Sequence, residues 1–183
     1  MIAAVVLAAG ASTRFGSAKQ RILLEPVLDR VRSTSVEHVL VVLGAHEVET
    51  TAGTVHCPEW ERGPGASLRC GLDALPADAE AAVVVLADGP DLAPAAIDRI
   101  VAAWRDSGRD VVAATYQGRR GHPVLLARGA WGRVPDEGAR SLEALAVPCD
   151  DLGAPGDVDF PSDLPSRFDA HAAELETVDD DGL

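Results

Sequence analysis

The sequence predicts a three-layer α/β/α fold with a mostly parallel sheet. Two observations carry that prediction. Short apolar runs at residues 2–9, 38–44, 81–87, 110–116 and 121–126 alternate with stretches of helical spacing, such as Ile97, Ile100, Val101 and Trp104. The first run, Ile2 to Ala9, is apolar on successive rather than alternate residues, the pattern of a strand buried on both faces. With 183 residues, 47% of them hydrophobic, the chain can build one domain with its own core.

The elements follow in order. The first strand runs into a loop of small residues, and a helix is expected around Leu24 to Ser33. The second strand spans His38 to Gly44. Cys57 to Gly71 reads as mostly loop, punctuated by Gly63, Pro64 and Gly65, with Ser67 placed to cap the helix after it. The third strand, Ala81 to Ala87, ends at Asp88, and Pro94 opens a helix at its first-turn position. Asp110 to Tyr116 and Gly121 to Leu126 are strands joined by a Gly-Arg-Arg-Gly turn. Glu137 to Leu145 is expected to be helical, and Asp157 to Pro161 leads into a last helix. Residues 1–168 form the expected domain. The remainder, 169–183, holds six carboxylates and no Lys or Arg, and reads as a flexible acidic tail.

Bulk properties exclude several classes. A formal charge of −13 argues against nucleic-acid binding through a basic face. No run of eighteen apolar residues suggests a membrane helix, and the N-terminus enters strand at once, without the basic region of a signal peptide. Cys57, Cys70 and Cys149 have no metal-type spacing, so reduced thiols and a cytoplasmic location are expected.

The chemistry concentrates at Leu7 to Lys19, LAAGASTRFGSAK. Small residues after a buried strand leave backbone N–H groups open, and such groups cradle phosphate. Arg14 and Lys19 add a fork and a point charge, the pairing a nucleoside triphosphate needs. Lys19 is the only lysine in the chain. The spacing is neither GxxxxGK[ST] nor GxGxxG, which excludes the P-loop and the dinucleotide fingerprint. Ligands of such sheets sit at the carboxyl ends of the strands, where this loop and Asp88 both fall. Asp88 there is suited to Mg²⁺, or else serves as a turn residue.

LAAGxSxRxG followed by a lysine resembles the signature of the MobA-like NTP transferases. LADGPDL around Asp88 looks like that family's LADQP form, and DVDFPSDL like its DxDTPEDL. The resemblance covers residues 1 to about 165. It implies a Rossmann-like nucleotidyltransferase, with nucleotide held by Leu7, Ala8, Ala9, Gly10, Ser12, Arg14 and Lys19. It implies Arg14, Lys19 and Asp88 in catalysis, and Mg²⁺ on Asp88 with Asp157 or Asp159, Asp159 being favoured. Phe160 stands where the family has threonine. A Gly-x-Pro turn usual between the lysine and the next helix is missing.

Within the family, Trp60 to Leu72 resembles the stretch that contacts base and ribose, which points to Ser67, against plain capping. Gly121-His122-Pro123-Val124 and Gly138-Ala139-Arg140 resemble segments of the molybdopterin cytidylyltransferase branch. There His122 and Arg140 would meet the acceptor, unless His122 is structural. Guanine users of the family tend to carry LAGG and cytosine users LAAG, and Ala9 would narrow a slot under the base.

The resulting expectation is CMP transfer from CTP to a phosphate-bearing acceptor, molybdopterin first, with release of pyrophosphate. Other acceptors (a sugar phosphate or isoprenoid precursor), GTP as donor, and a non-catalytic chaperone for a molybdoenzyme are the alternatives. A molybdoenzyme or its chaperone is the expected protein partner.

Overall fold

In the computed structural model, residues 1–169 are described. The expected acidic tail therefore lies outside them, Asp169 excepted.

Seven strands form one sheet in the order β3-β2-β1-β4-β6-β5-β7. They are β1 Ile2–Leu7, β2 His38–Leu43, β3 Gly53–His56, β4 Ala81–Leu86, β5 Val111–Tyr116, β6 Arg119–Ala127 and β7 Leu145–Pro148. Pairing is parallel except where β6 meets β4 and β5. Buried residues of β1 and β4 alternate between two cores. Ile2, Ala4, Val6, Ala81, Val83 and Val85 face helices α1 (Gln20–Arg32) and α3 (Pro94–Ser107), through Leu24, Leu28, Ile97 and Ile100. Ala3, Val5, Ala82 and Val84 face helix α2 (Pro64–Asp73), through Leu68 and Leu72. This is the expected three-layer, mostly parallel arrangement, Rossmann-like in type.

Several expected elements change. Helix α1 starts at Gln20, directly after Lys19, and runs through Pro26. The helix expected after Ser67 is present but starts earlier, as α2 opened by Gly63 and Pro64 within the stretch expected to be mostly loop, so Ser67 lies inside it and caps nothing. Gly65 is required there: a Cβ would come within 1.7 Å of the Pro135 carbonyl oxygen. The short edge strand β3 is polar and exposed, and its sequence carries no strand pattern. The β5–β6 turn falls on Gln117 and Gly118, both left-handed, which puts Arg119 and Arg120 into β6.

The helix expected at 137–145 is absent. A single 3-10 turn, Ala139–Ser141, precedes β7. The Arg120 guanidinium donates to the carbonyls of Ala139, Arg140 and Leu142, which a helix would use internally. The edge of β5 takes up Leu145–Pro148. In place of the last helix stand two 3-10 turns, Pro161–Asp163 and Ser166–Phe168. Pro161 and Pro165 withhold the N–H groups a longer helix needs.

The expectation of three reduced thiols is also corrected. Cys57 and Cys70 form a disulfide, because the reversal from β3 into α2 brings their Cα atoms to 5.7 Å despite 13 residues of separation. Only Cys149 is free, and it is buried.

Candidate active site

The carboxyl ends of β1 and β4 open onto a cavity of about 290 Å³. Leu7, Ala8, Gly10, Ser12, Arg14, Lys19, Gln20, Asp88 and Asp159 are among its lining residues. The loop after β1 is tied down by its own carbonyls. Gln20 Nε2 donates to Gly10 O at 2.7 Å, and Ser12 Oγ donates to Gln20 Oε1 at 2.9 Å. His46 Nε2–H donates to Ala11 O at 2.8 Å. Ser12 holds a φ of +53°, a left-handed conformation uncommon outside glycine. A Cβ built on Gly10 would meet nothing within 4 Å, so the space in front of it is open to a ligand. Sequence reasoning missed Gln20 and His46. An amide directly after the loop was the available signal for Gln20, and none pointed to His46.

Lys19 is not an exposed loop residue. It is 9% exposed, at the N-terminal end of α1. Its Nζ donates to Asp88 Oδ2 at 2.9 Å and to the Val158 carbonyl, and lies 3.8 Å from Asp159 Oδ1. The shortened segment after Lys19 therefore leaves the ammonium inside the site. Asp159 also pairs with Arg14 at 2.7 Å, and the Arg14 guanidinium stands 5.8 Å from the centre of the exposed Phe160 ring.

The returning segment 153–160 is sewn to the end of β4. Val158 N donates to Asp88 O at 3.1 Å, and Asp91 N to Pro155 O at 2.8 Å. The Val158 side chain is buried with Phe15, Ile22, Leu23 and Phe168. Its two aspartate neighbours divide. Asp159 lines the first cavity, and Asp157 lines a second of about 840 Å³. Partial burial first, then the charges of Asp88 and Asp159, raise the Asp157 pKa above the usual carboxylate value.

The second cavity borders the first along β4 and holds the residues expected to meet an acceptor. His122 and Arg140 line it, with Tyr116, Arg119, Arg120 and Gly153 to Asp157. Burial, then the charges of Arg140 and Arg120, lower the His122 pKa to about 4, so its ring is neutral near pH 7. The Tyr116 hydroxyl donates to the His122 carbonyl at 3.0 Å.

Two expected nucleotide contacts sit elsewhere. Ser67 is 4% exposed in α2 and lines neither cavity. Ala9 is 5% exposed and packs into the core with Trp60 and Leu68 rather than lining the cavity. A Cβ on Gly44 would fall 2.8 Å from the Ala9 methyl and 2.7 Å from Trp60 Cγ, which shows how tightly that corner is closed. Any influence of Ala9 on the base passes through this packing.

Asp88 and Asp159 are hard oxygen donors gathered on one cation. Two carboxylates, with phosphate oxygens and water to complete the shell, are the donor set Mg²⁺ takes in triphosphate sites, so the residues fit the expected metal. Among the described residues, no group of three or more His, Cys, Asp or Glu is placed to hold a metal without such a ligand.

A family model described as "MobA-like NTP transferase domain" matches residues 4–147. The chain belongs to this family. A curated relative, the bifunctional protein GlmU of Kineococcus radiotolerans, is 34% identical over 154 residues. The match takes in 74% of this chain but 30% of that relative, so the chain spans about a third of its length. The crystal structure of Rv0371c from Mycobacterium tuberculosis H37Rv is 28% identical, with a TM-score of 0.71, covering 96% of this chain and 97% of that one. A second structure of Rv0371c, titled as a complex with manganese, is 25% identical with a TM-score of 0.61, at 96% and 98% coverage. Family membership supports nucleotidyl transfer as the class of activity. Among the described residues no helix is long and apolar enough to cross a membrane.

Proposed function

We propose that this transferase moves CMP from CTP to a phosphate-bearing acceptor, molybdopterin first among them, and releases pyrophosphate. The observation that carries the reading is that two cavities adjoin at the end of β4, with Asp88, Lys19, Arg14 and Asp159 lining the first and Asp157 the second. A triphosphate fits the Gly10 side, with loop amides and Arg14 around its β- and γ-phosphates. The acceptor fits the larger side. Its phosphate oxygen attacks the α-phosphorus in line, a P–O bond to that oxygen forms, and the bond to the pyrophosphate oxygen breaks. No protein nucleophile or base is required, since the acceptor oxygen is already anionic. Positioning and charge neutralisation supply the catalysis. Lys19 and Arg14 offset charge on the leaving pyrophosphate. When bound, Mg²⁺ held by Asp88 and Asp159 would neutralise phosphate charge.

CTP is favoured because the loop reads LAAG. The intact Lys19–Asp88 contact favours an enzyme over a non-catalytic chaperone, whose support was the shortened segment after Lys19. The cytoplasm is the proposed location because CTP and Mg²⁺ must be at hand, the Cys57–Cys70 bond having removed the reduced-thiol argument for it, and a molybdoenzyme or its chaperone is the proposed recipient of the product. The test is pyrophosphate release with each of the four NTPs, with and without molybdopterin. Release that requires CTP and molybdopterin together supports the reading. Release with GTP alone among the nucleotides assigns the guanylyl alternative; none with molybdopterin but release with a sugar phosphate or isoprenoid phosphate assigns another acceptor, and none with any of these assigns the chaperone.

A further inference from the structure

The larger cavity holds arginines that no carboxylate of the described residues contacts directly. Arg119, Arg120 and Arg140 line it, and none has a carboxylate partner among the described residues. Among the other described arginines, Arg14, Arg32, Arg62, Arg69, Arg99, Arg133 and Arg167 meet carboxylates, whereas Arg21, Arg30, Arg105, Arg109 and Arg128 do not; what sets the cavity arginines apart is that three of them line one cavity. The cavity's own acids are engaged otherwise. Asp150 accepts the Gln117 backbone N–H. The charges that act on Asp157 are Asp88, Asp159, Lys19 and Arg14, whereas those acting on Arg120 and His122 are arginines. The charges that act on Arg120 and His122 are thus arginines, while carboxylates stand at the β4 end of the cavity and, as Asp150, at the Gln117 turn.

Arg120 is the unusual member. Two of its nitrogens are spent on carbonyls of the 139–142 turn, which fixes the segment bearing Arg140. Its Nε is buried and has no partner, the single such side-chain atom among the described residues. Burial and the charge of Arg140 lower its pKa. Holding two like charges beside one cavity, one of them partly desolvated, costs free energy that an arriving anion would offset.

We propose that Arg120 and Arg140 form a second anion subsite, which recognises a non-reacting anionic group on an acceptor whose phosphate reacts at Asp88. This rests on the reading of the larger cavity as the acceptor site. It narrows the substrate class to phosphate esters that carry a further acidic group. Molybdopterin meets that requirement through its ene-dithiolate. His122, neutral beside the two arginines, adds a hydrogen bond without adding charge.

The test uses two probes with one skeleton. 3-Phosphoglycerate and glycerol 1-phosphate differ in a carboxylate against a hydroxymethyl group. Each is titrated calorimetrically into the full chain saturated with Mg²⁺ and α,β-methylene CTP, which fills the triphosphate loop and does not turn over. The wild type is expected to bind 3-phosphoglycerate about tenfold more tightly, the range of one charge-assisted contact. Arg140→Gln should abolish that preference; Arg140 holds no structural contact through its side chain, so the variant is expected to fold. Arg120→Gln should abolish it too, with far-ultraviolet circular dichroism checking the 139–142 turn. Equal affinities in the wild type, no binding of either probe, or a preference unchanged in Arg140→Gln would each overturn the subsite. Failure of the nucleotide analogue itself to bind would instead strike at the proposed function, so the two failures are distinguishable.

Discussion

Replacing Lys19 by alanine is expected to destabilise the protein as well as inactivate it. The ammonium is the cation on which Asp88 and Asp159 converge, and it also satisfies the Val158 carbonyl. Removing one partner of a fully buried ion pair costs about 3–5 kcal/mol. The two aspartate side chains are each 26% exposed, so water recovers part of that loss, and about 2–3 kcal/mol is the expected cost. For a chain of this size the melting temperature should fall by about 4–12 °C. Urea denaturation followed by circular dichroism, in EDTA and again in excess Mg²⁺, measures it. The deficit should shrink with Mg²⁺, which can replace the lost cation. A loss below about 0.5 kcal/mol, the behaviour of a surface lysine, would refute the structural reasoning.

Asp88→Asn keeps size and hydrogen bonding but removes the charge, and turnover should fall about 10²–10³-fold in steady-state pyrophosphate release. Normal turnover would reduce Asp88 to a turn residue. Cys70→Ser, by opening the loop closed with Cys57, should cost about 3 kcal/mol in urea titrations, and the same loss should appear in the wild type under dithiothreitol. A wild type insensitive to reductant would contradict this. His122 has its folded pKa below that of the unfolded chain, so its contribution is present above about pH 6.5 and is lost as pH falls toward about 4. His122→Asn should accordingly lose less stability than the wild type across that window.

What the sequence made legible was local. The β1 run, its small-residue loop and Asp88 each declare themselves within a dozen residues, because a doubly buried strand and a phosphate loop need particular side chains side by side. The 157–159 aspartates were visible as a pair, but their separation onto two cavities depends on the burial of Val158, which only packing fixes. The partners of Lys19 are 69 and 139 residues away and could not be read locally. The expected helix at 137–145 failed for a similar reason. Its spacing is helical, but Arg120 claims its carbonyls and β5 claims its end. The Cys57–Cys70 bond was hidden by the unforeseen strand β3 and by the earlier start of α2, at Pro64 rather than after Ser67; the reversal between them brings the two cysteines together. Ala9 was placed in the right loop on the wrong side: strand alternation carries its methyl into the α2-facing core.

The proposed reaction carries a nucleotidyl group from the first cavity, lined by Asp88, into the second. Following CTP labelled at the α-phosphate, with molybdopterin as acceptor, tests it most directly. The label is expected to move into a product joining acceptor and CMP, with one pyrophosphate released per label transferred, in the wild type and not in Asp88→Asn. Label that stays in CTP, or that appears as free CMP with no acceptor adduct, would contradict it.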